Sequence, residues 1–571
     1  MKLFRPLALF AVTFGLAVLV GDVSVGAQNQ IKQQKKLKKN KNKNKRKQAD
    51  PPPVVAEPEP LPPAKPLPPL PPPGPKDARL VAKMIDDAIA KKLADLGKSA
   101  APLATDEEFL RRAYLDLNGV IPTADKARAF LDSTDANKRA KLIDELLDDS
   151  RFGRHLADFW QARLIPRESN NRFVLREPFT KWLEASFNKN VPWNQFVSNL
   201  VAAAGSVEEN PAVTFYLANR SVDKLTDHVT QSFLGVQLQC AQCHNHPFTE
   251  WKQTEYWGMA EFFSKVKADR AKNAKKGGDN NKIGVIEGPT RTRAKDFFPE
   301  SAKTVPAKFL GGEQPRLLPS QPYRPALARW ITDERNPYFA KSIVNRTWGQ
   351  LFGAGFVNPI DDMHDGNRPS HPELFEKLAR NFAGNGFDLK NLYRAICNSQ
   401  AYQRSSKPAS GGKTEDRLFA HMTVKVFSPE QLYDSLATAI AADKVAPQPR
   451  AKGANNPKRG PIGLRDQFVQ FFLAGADSAN AVEYEAGIPQ ALRLMNSRIT
   501  NNPGLVRQFV SAGDKPATVF EKIYLAVLSR RPTPAESKRL GEYFAKSSTA
   551  VDAYRDVLWV LLNSSEFTMI R

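Results

Sequence analysis

Long apolar runs are missing from this chain of 571 residues beyond its N-terminus. No stretch after residue 20 approaches the roughly twenty apolar residues that a membrane-spanning helix needs. We therefore expect no transmembrane helix in the mature chain. The sequence also lacks the G-x-S-x-G and H-E-x-x-H motifs and a phosphate-binding glycine loop. The absence of these motifs gives little support to a hydrolase function.

The N-terminus has the pattern of a secretory signal peptide. Lys2 and Arg5 precede an apolar run over residues 7–20, and residues 25–27 (Val-Gly-Ala) supply small side chains for cleavage. The run is too short for a spanning helix. We predict that residues 1–27 are a signal peptide and that the mature protein is exported to the periplasm or cell surface.

Residues 28–77, here called the tether, lack the apolar residues that a core requires. Residues 32–47 carry ten basic residues and no acid, and residues 51–75 hold 14 of the chain's 44 prolines. Such a segment is predicted to be disordered, with polyproline II conformation in its proline-rich part.

The formal net charge of +23 is concentrated partly in this tether. A basic tail usually indicates nucleic acid, but an exported chain meets little of it. The expected partner of residues 32–47 is therefore an anionic cell-wall or surface polysaccharide, or the anionic membrane face. A solvated spacer without a specific partner is the alternative.

From residue 78 onward the sequence is predominantly helical, because apolar residues recur at helical spacing. We predict a mainly α protein with two helical domains, at 78–264 and 322–571. Residues 265–321 between them are predicted as a loop and small β insert, with β-like pieces at 283–286 and 304–310. The predicted helices are 80–96, 107–117, 138–147, 180–187, 193–204, 224–237, 326–332, 340–352, 373–384 and 389–398.

Helix starts and ends follow recurring patterns. Ser370, Ser428 and Thr533 each stand three residues before Glu or Gln, which predicts N-terminal capping boxes. Three helices end in a similar sequence that closes with an aromatic residue, at 146–152, 396–402 and 561–567. We interpret this as a recurring helical hairpin whose terminal aromatic side chain packs into the core.

Cys240, Cys243 and His244 spell C-x-x-C-H in a chain with only three cysteines and seven histidines. This spacing is typical of covalent haem c attachment, with two thioether bonds and a proximal imidazole ligand. Zinc is an alternative: the two thiols with His244 or His246 give three ligands, and a remote side chain completes the tetrahedron. A disulfide between the cysteines is a third interpretation, and reduced buried thiols a fourth.

The sixth ligand of a haem at this motif is not indicated by the sequence. His246 lies only two residues from His244 and cannot easily reach the opposite face of the ring. Met259, His228, His364 and His371 could be supplied only by the fold. An open sixth position would favour ligand binding or redox catalysis over simple electron transfer.

A second cluster of polar side chains lies in the C-terminal half. It offers three carboxylates and two imidazoles within eleven residues, which is suited to a divalent cation or to an acid and base pair. The alternative is a polar loop that ends at the Ser370 cap. The cluster consists of Asp361, Asp362, His364, Asp365 and His371.

Eight segments carry a resemblance to a known family. They are 109–117, 121–123, 233–236 and 240–248, then 336–340, 344–348, 369–374 and 494–497. Together they resemble exported planctomycete proteins of unknown function in which the domain of unknown function numbered 1549 precedes the one numbered 1553. The resemblance implies a cytochrome-like first domain but no established reaction. Many relatives also have a separate cytochrome c domain, whereas this chain has the tether, so a redox partner would be another protein.

Two functions are therefore expected from the sequence. The first is an exported protein that binds a c-type haem at C-x-x-C-H and has a redox or electron-transfer role. The second is a non-enzymatic cell-surface binding or scaffold protein in which the two cysteines form a zinc or disulfide cross-link.

Overall fold

The computed structural model describes residues 74–167, 171, 173–270, 283–288, 305–409, 416–440, 463–473, 488–497 and 500–571. The predicted signal peptide and nearly all of the tether lie outside the described residues. The described part of the chain is mainly helical with a few short strands, which confirms the predicted fold class. No helix within it is long and apolar enough to cross a membrane.

The helical periodicity of the first 265 residues corresponds to α-helices that bury one apolar face. In the first helix, for example, Val81, Ile85 and Ile89 are buried at four-residue spacing. These helices are α1 (Ala78–Asp95), α2 (Asp106–Asn118), α3 (Ala124–Asp132), α4 (Lys138–Asp148), α5 (Ser150–Leu164), α6 (Arg176–Asn188), α7 (Trp193–Val201), α8 (Thr214–Ala218), α9 (Val222–Val229) and α10 (Gln253–Glu261).

The helices after residue 320 follow the same rule. They are α11 (Arg324–Ile331), α12 (Phe339–Phe352), α13 (Pro372–Gly384), α14 (Leu389–Asn398), α15 (Gln400–Gln403), α16 (Pro429–Ala439), α17 (Leu464–Leu473), α18 (Ile488–Met495), α19 (Pro516–Leu528), α20 (Pro534–Lys546), α21 (Ala550–Leu562) and α22 (Ser565–Thr568).

The predicted capping boxes are present at two of three positions. Ser428 caps α16 and Thr533 caps α20, each with the reciprocal side-chain bond from the third helical residue. At α13 the prediction is wrong, because His371 rather than Ser370 occupies the N-cap position and makes no side-chain cap bond. The Ser370 hydroxyl instead lies 3.1 Å from Nδ1 of His371.

The three similar helix ends have the predicted packing. Phe152, Tyr402 and Phe567, the terminal aromatic residues, are all fully buried. Each lies just after a break at which Asp149, Ser399 or Ser564 caps the next short turn or helix. The break therefore redirects the chain while the aromatic ring remains in the core.

A three-stranded antiparallel sheet contains two strands of the predicted insert: β3 (Ile283–Glu287) lies between β2 (Val266–Arg270) and the earlier strand β1 (Gly205–Ser206). Val285 of β3 pairs with Gly205 of β1 and with Ala268 of β2. A side chain at Gly284 would clash with the Gly205 carbonyl, because a Cβ there would lie 2.3 Å from its oxygen. The strands are β1 (Gly205–Ser206), β2 (Val266–Arg270), β3 (Ile283–Glu287), β4 (Lys425–Val426) and β5 (Met569–Ile570).

The β-like piece at 283–286 is confirmed as β3, whereas the one at 304–310 is wrong. Its described residues, 305–310, form no strand. The Lys308 N–H donates to the Gly258 carbonyl of α10 at 3.0 Å. Phe309 stacks on Phe262 and Trp330, with ring centroids 5.3 and 5.0 Å apart. A backbone hydrogen bond to α10 and ring packing against Phe262 and Trp330, rather than strand pairing, thus fix this segment.

Buried apolar residues form two clusters. The larger draws on residues between 78 and 422 together with Leu525. The smaller draws on residues between 427 and 570 together with Leu115 and Ile121. Because members of the larger cluster come from both sides of residue 322, the division into helical domains 78–264 and 322–571 stays a prediction.

Candidate functional site

The segment that leads into C-x-x-C-H is fixed by a close backbone approach at Gly235. This residue ends a π-helical turn, Thr230–Leu234, with a positive φ of 67°, a conformation that favours glycine. A Cβ at this position would lie 2.3 Å from Cε of Met363. The Met363 N–H donates to the Gly235 carbonyl at 2.9 Å. The loop of the second predicted cluster therefore contacts the chain just before the motif.

A short 3-10 helix, Gln239–Gln242, presents the two thiols to solvent. Cys240 lies within this turn and Cys243 directly follows it as the C-cap residue. Both cysteines are exposed and carry free thiols, whereas Ala241 between them is fully buried. The turn thus has an inner face in the core and an outer face with two thiols.

Helix α10 holds the backbone of this turn from beneath. The Gln253 side-chain amide donates to the carbonyls of Gln242 (3.1 Å) and Cys243 (2.9 Å). The indole N–H of Trp257 donates to the Gln242 carbonyl at 3.1 Å. These three bonds fix the main chain at the second cysteine without using either thiol.

Residues 245–253 close into a hydrogen-bonded loop beside the turn. The His246 N–H donates to the Trp251 carbonyl at 2.8 Å, and Trp251 is buried. The Gln253 N–H donates to Oδ1 of Asn245 at 3.0 Å. The loop therefore has a buried aromatic anchor and closed ends, while Phe248 at its tip is 86% exposed.

The two histidines of the motif differ in which ring nitrogen is available. Nδ1 of His244 lies 2.7 Å from the Asn245 carbonyl. A carbonyl can only accept, so Nδ1 carries the proton and the lone pair of the neutral ring lies on Nε2. Nδ1 of His246 accepts from the Phe248 N–H at 3.2 Å, which places that ring's proton on Nε2. Exposed His244 is thus prepared to bind a metal through Nε2, and His246 is not.

A partly buried carboxyl that the sequence did not indicate, that of Asp227, lies next to Tyr256. Burial and the neighbouring Asp223 raise the pKa of Asp227 on α9 to about 7, and the Tyr256 hydroxyl offsets part of this rise. Burial, then Asp227, raises the pKa of Tyr256 on α10 as well, and Cys243 is close enough to contribute. No sequence motif marks Asp227 and Tyr256. They come together only because α9 and α10 pack against each other.

The candidate sixth ligands do not lie free beside the motif. Met259 is fully buried in the core of α10. His228 is largely buried against Phe215, with ring centroids 6.2 Å apart. Burial, with Arg163 nearby, lowers its pKa to about 4. Both side chains are thus engaged in packing.

Members of the second predicted cluster have separate roles. Asp361 pairs with Arg163 and with the buried Arg346 of α12. His364 lies 3.6 Å from Asp362 and accepts from the Gly366 N–H at 3.1 Å. The ion pairs of Asp361 with Arg163 of α5 and Arg346 of α12 therefore hold this loop against both helices.

His371, the last member of that cluster, lies in an aromatic environment. Its ring centroid is 5.3 Å from that of Phe419 and 6.3 Å from that of Phe356. Burial lowers its pKa to about 4, so it is neutral at physiological pH. Asp365 lies elsewhere, near Tyr338, whose pKa burial raises to about 12 with a contribution from Asp365.

No group of three or more His, Cys, Asp or Glu side chains is arranged to hold a metal ion in the part of the chain that the structure describes. Cys397, the third cysteine, is fully buried, and burial raises the pKa of its thiol. The exposed chemistry of this site is thus confined to Cys240, Cys243 and His244.

Comparison with known proteins identifies two regions of the chain. Residues 84–268 match the family model described as PSCyt2, protein of unknown function (DUF1549). Residues 323–462 match the one described as PSD1, protein of unknown function (DUF1553). This confirms the domain combination that the sequence predicts. No curated protein and no solved structure matches the chain.

Proposed function

We propose that this chain, which belongs to the family combining the PSCyt2 (DUF1549) and PSD1 (DUF1553) domains of unknown function, attaches a c-type haem through Cys240 and Cys243. In this proposal His244 is the proximal ligand and the protein has a redox or electron-transfer role. The haem would supply a redox-active iron. The name PSCyt2 of the matched family agrees with a cytochrome-like domain.

One observation carries the proposal: the site exposes two thiols and, next to them, an imidazole whose Nδ1 bonds the Asn245 carbonyl and whose Nε2 has no partner among the described residues. The Asn245 carbonyl fixes the tautomer of His244, as an outer-sphere hydrogen bond does for metal-binding histidines. Hydrogen bonds from Gln253 and Trp257 hold the turn in place. The chain thus orients the attachment points before any cofactor binds.

A structural cross-link is supported less well by these contacts. Structural zinc sites are closed, with four protein ligands around the ion, whereas Cys240 and Cys243 are exposed. The turn already has a buried anchor in Ala241 and a hydrogen-bonded backbone. A zinc or disulfide link would therefore add little to the packing here.

Export and surface attachment are part of the same proposal. Covalent haem attachment in bacteria takes place after export, which the predicted signal peptide at residues 1–27 would provide. The basic residues 32–47 would bind an anionic cell-wall or surface polysaccharide. Electrons would pass to or from a separate redox protein.

A haem stain on a denaturing gel tests the proposal. The full-length chain is expressed in a host with haem-attachment machinery, and the stain should remain on the chain because two covalent bonds hold the group. The double variant Cys240→Ala, Cys243→Ala should lose it. Cys397→Ala, the same change at the buried thiol, should retain it.

The histidines supply a second comparison. His244→Ala should keep the stain but change the absorption spectrum, because the proximal ligand is lost while the thioether bonds remain. His246→Ala should keep the stain and change the spectrum less than His244→Ala does, because Nδ1 of His246 is occupied by the Phe248 N–H. Correctly exported protein without a Soret band, but with one zinc per chain by elemental analysis, would contradict the proposal in favour of the cross-linked scaffold.

A further inference from the structure

Phe248 has an exposure that the packing of the protein does not explain. Its side chain is 86% exposed, more than any other large apolar side chain that the structure describes; Leu464 follows at 75%. A water-exposed aromatic ring forgoes the gain that burial of its apolar surface would bring. Such a ring next to a candidate cofactor site is a candidate contact for a group bound there.

The loop holds this ring outward in a defined position. The Phe248 N–H donates to Nδ1 of His246, and Trp251 anchors the loop in the core. The His246 and Phe248 rings meet edge to face, with centroids 6.4 Å apart and planes at 71°. Contacts with His246 and the Trp251 anchor therefore hold the exposed ring of Phe248 in a defined position.

We propose that Phe248 is the apolar contact for the porphyrin ring of the haem bound at Cys240, Cys243 and His244. This inference rests on the proposed function and adds a binding residue to that site. Phe248 and His244 belong to the same closed segment, residues 244–253. The Asn245 carbonyl that contacts His244 and the bond from Gln253 to Asn245 that closes the loop both lie within this segment.

Continuity with the motif favours a porphyrin over a protein partner. Cys240 and Cys243 lie on the exposed face of the adjacent turn, and the free Nε2 of His244 fixes where an iron would lie. Phe248 follows His244 by four residues and is the exposed ring of the loop that Trp251 anchors, so a flat apolar group attached at these side chains would have Phe248 as a neighbouring aromatic contact.

Titration with hemin (iron protoporphyrin IX) tests this role without relying on activity. The chain is produced in a host without haem-attachment machinery, reduced, and titrated while the Soret absorbance is followed. Phe248→Ala should weaken hemin binding about tenfold or more, the effect of losing one buried aromatic side chain. Phe248→Leu should recover much of the affinity, and Leu464→Ala, an exposed apolar residue elsewhere, should have wild-type affinity.

The results separate this inference from the function on which it rests. Hemin affinity that is equal in Phe248→Ala and wild type, while His244→Ala binds more weakly, would overturn the role of Phe248 and leave haem attachment standing. A wild-type chain that neither binds hemin nor takes up haem covalently would overturn both. A melting temperature of Phe248→Ala equal to that of wild type would show that the fold is intact, so that a loss of hemin affinity reflects binding.

Discussion

At the scale of single residues, two hydrogen bonds decide which imidazole of the motif can bind iron. His244 and His246 are equivalent in sequence except for their distance from the cysteines. The Asn245 carbonyl holds the proton of the first ring on Nδ1, and the Phe248 N–H occupies Nδ1 of the second. The C-x-x-C-H spacing indicates His244 for a haem, and only the zinc alternative leaves His244 or His246 open. The tautomer of each ring depends on how residues 245–253 close into a loop, which the sequence does not show.

Asp227 is the second residue-scale feature, and its effect on stability depends on pH. Its pKa is about 7 in the folded protein against an ordinary value of 3.8. Between these values the folded state keeps a proton that the unfolded state has released. Stability contributed by this group therefore falls as pH rises from about 4 to 7, and the loss is complete above pH 7.

We predict that Asp227→Asn removes this loss. Relative to wild type, the variant should gain on the order of 1–3 kcal/mol in free energy of unfolding between pH 4 and pH 8, because an amide does not ionise. Urea denaturation of both proteins at pH 4, 6 and 8 measures the difference. Asp95→Asn, a substitution at a solvent-exposed ion pair, serves as the control. Parallel curves for Asp227→Asn and wild type would show that the carboxyl does not titrate in this range.

At the scale of elements, local signals predicted most helices because their apolar faces repeat in the sequence. The predicted helix 224–237 is interrupted, however: α9 ends at Val229, a π-helical turn follows, and Gly235 terminates it. A glycine near the end of a helical pattern is a stop signal, so this end could have been placed earlier. The contact of Gly235 with Met363 could not have been predicted from the sequence, because it joins residues more than 120 positions apart.

Helix caps provide a matched test of where a local signal fails. Ser428 and Ser370 carry similar predicted capping boxes, but only the Ser428 hydroxyl accepts from a helical N–H, that of Gln431, at 3.2 Å. Ser428→Ala should lower the free energy of unfolding by about 1 kcal/mol. Ser370→Ala should cost less than half as much, because the α13 N-cap position belongs to His371. Urea denaturation measures both; equal losses would contradict the difference in capping.

At the scale of the whole molecule, buried arginines of α2 join regions distant in sequence. Arg111 donates to the carbonyls of Val527 (3.0 Å) and Phe567 (2.7 Å). Arg112 donates to the carbonyls of Tyr402 (2.8 Å) and Arg571 (2.7 Å). Buried guanidinium groups require such partners, so the segment 109–117 that carries the family resemblance also holds the C-terminal end of the chain.

The candidate site, like the helices, combines features that a short stretch of sequence predicts with features that depend on the packing of distant residues. The spacing of the cysteines was evident from the sequence, because it lies in five consecutive residues. The support by Gln253 and Trp257 and the partly buried Asp227 depend on how α9 and α10 pack around the turn. The second predicted cluster, which is also local in sequence, is divided by packing: Asp361 pairs with arginines, and His371 lies among aromatic rings.

The tether bears on the whole molecule through its charge. Ten basic residues at 32–47 have no apolar residues to bury with them apart from Leu37, and the first buried residue of the described core is Ala78. Binding of an anionic polysaccharide by these residues should therefore be electrostatic and independent of folding. Exposed charges are screened over about 8 Å at physiological ionic strength, so such binding weakens steeply with salt.

We predict that deletion of residues 32–47 lowers the salt concentration at which the protein elutes from immobilised heparin, an anionic polysaccharide, and releases it from washed cell envelopes. The melting temperature should remain unchanged, because the deletion removes no residue of either apolar cluster. Deletion of residues 51–66, a segment of equal length that contains a single basic residue, is the matched control and should elute with the full-length protein. If all three proteins elute at the same salt concentration, residues 32–47 are a solvated spacer and the surface partner must bind elsewhere.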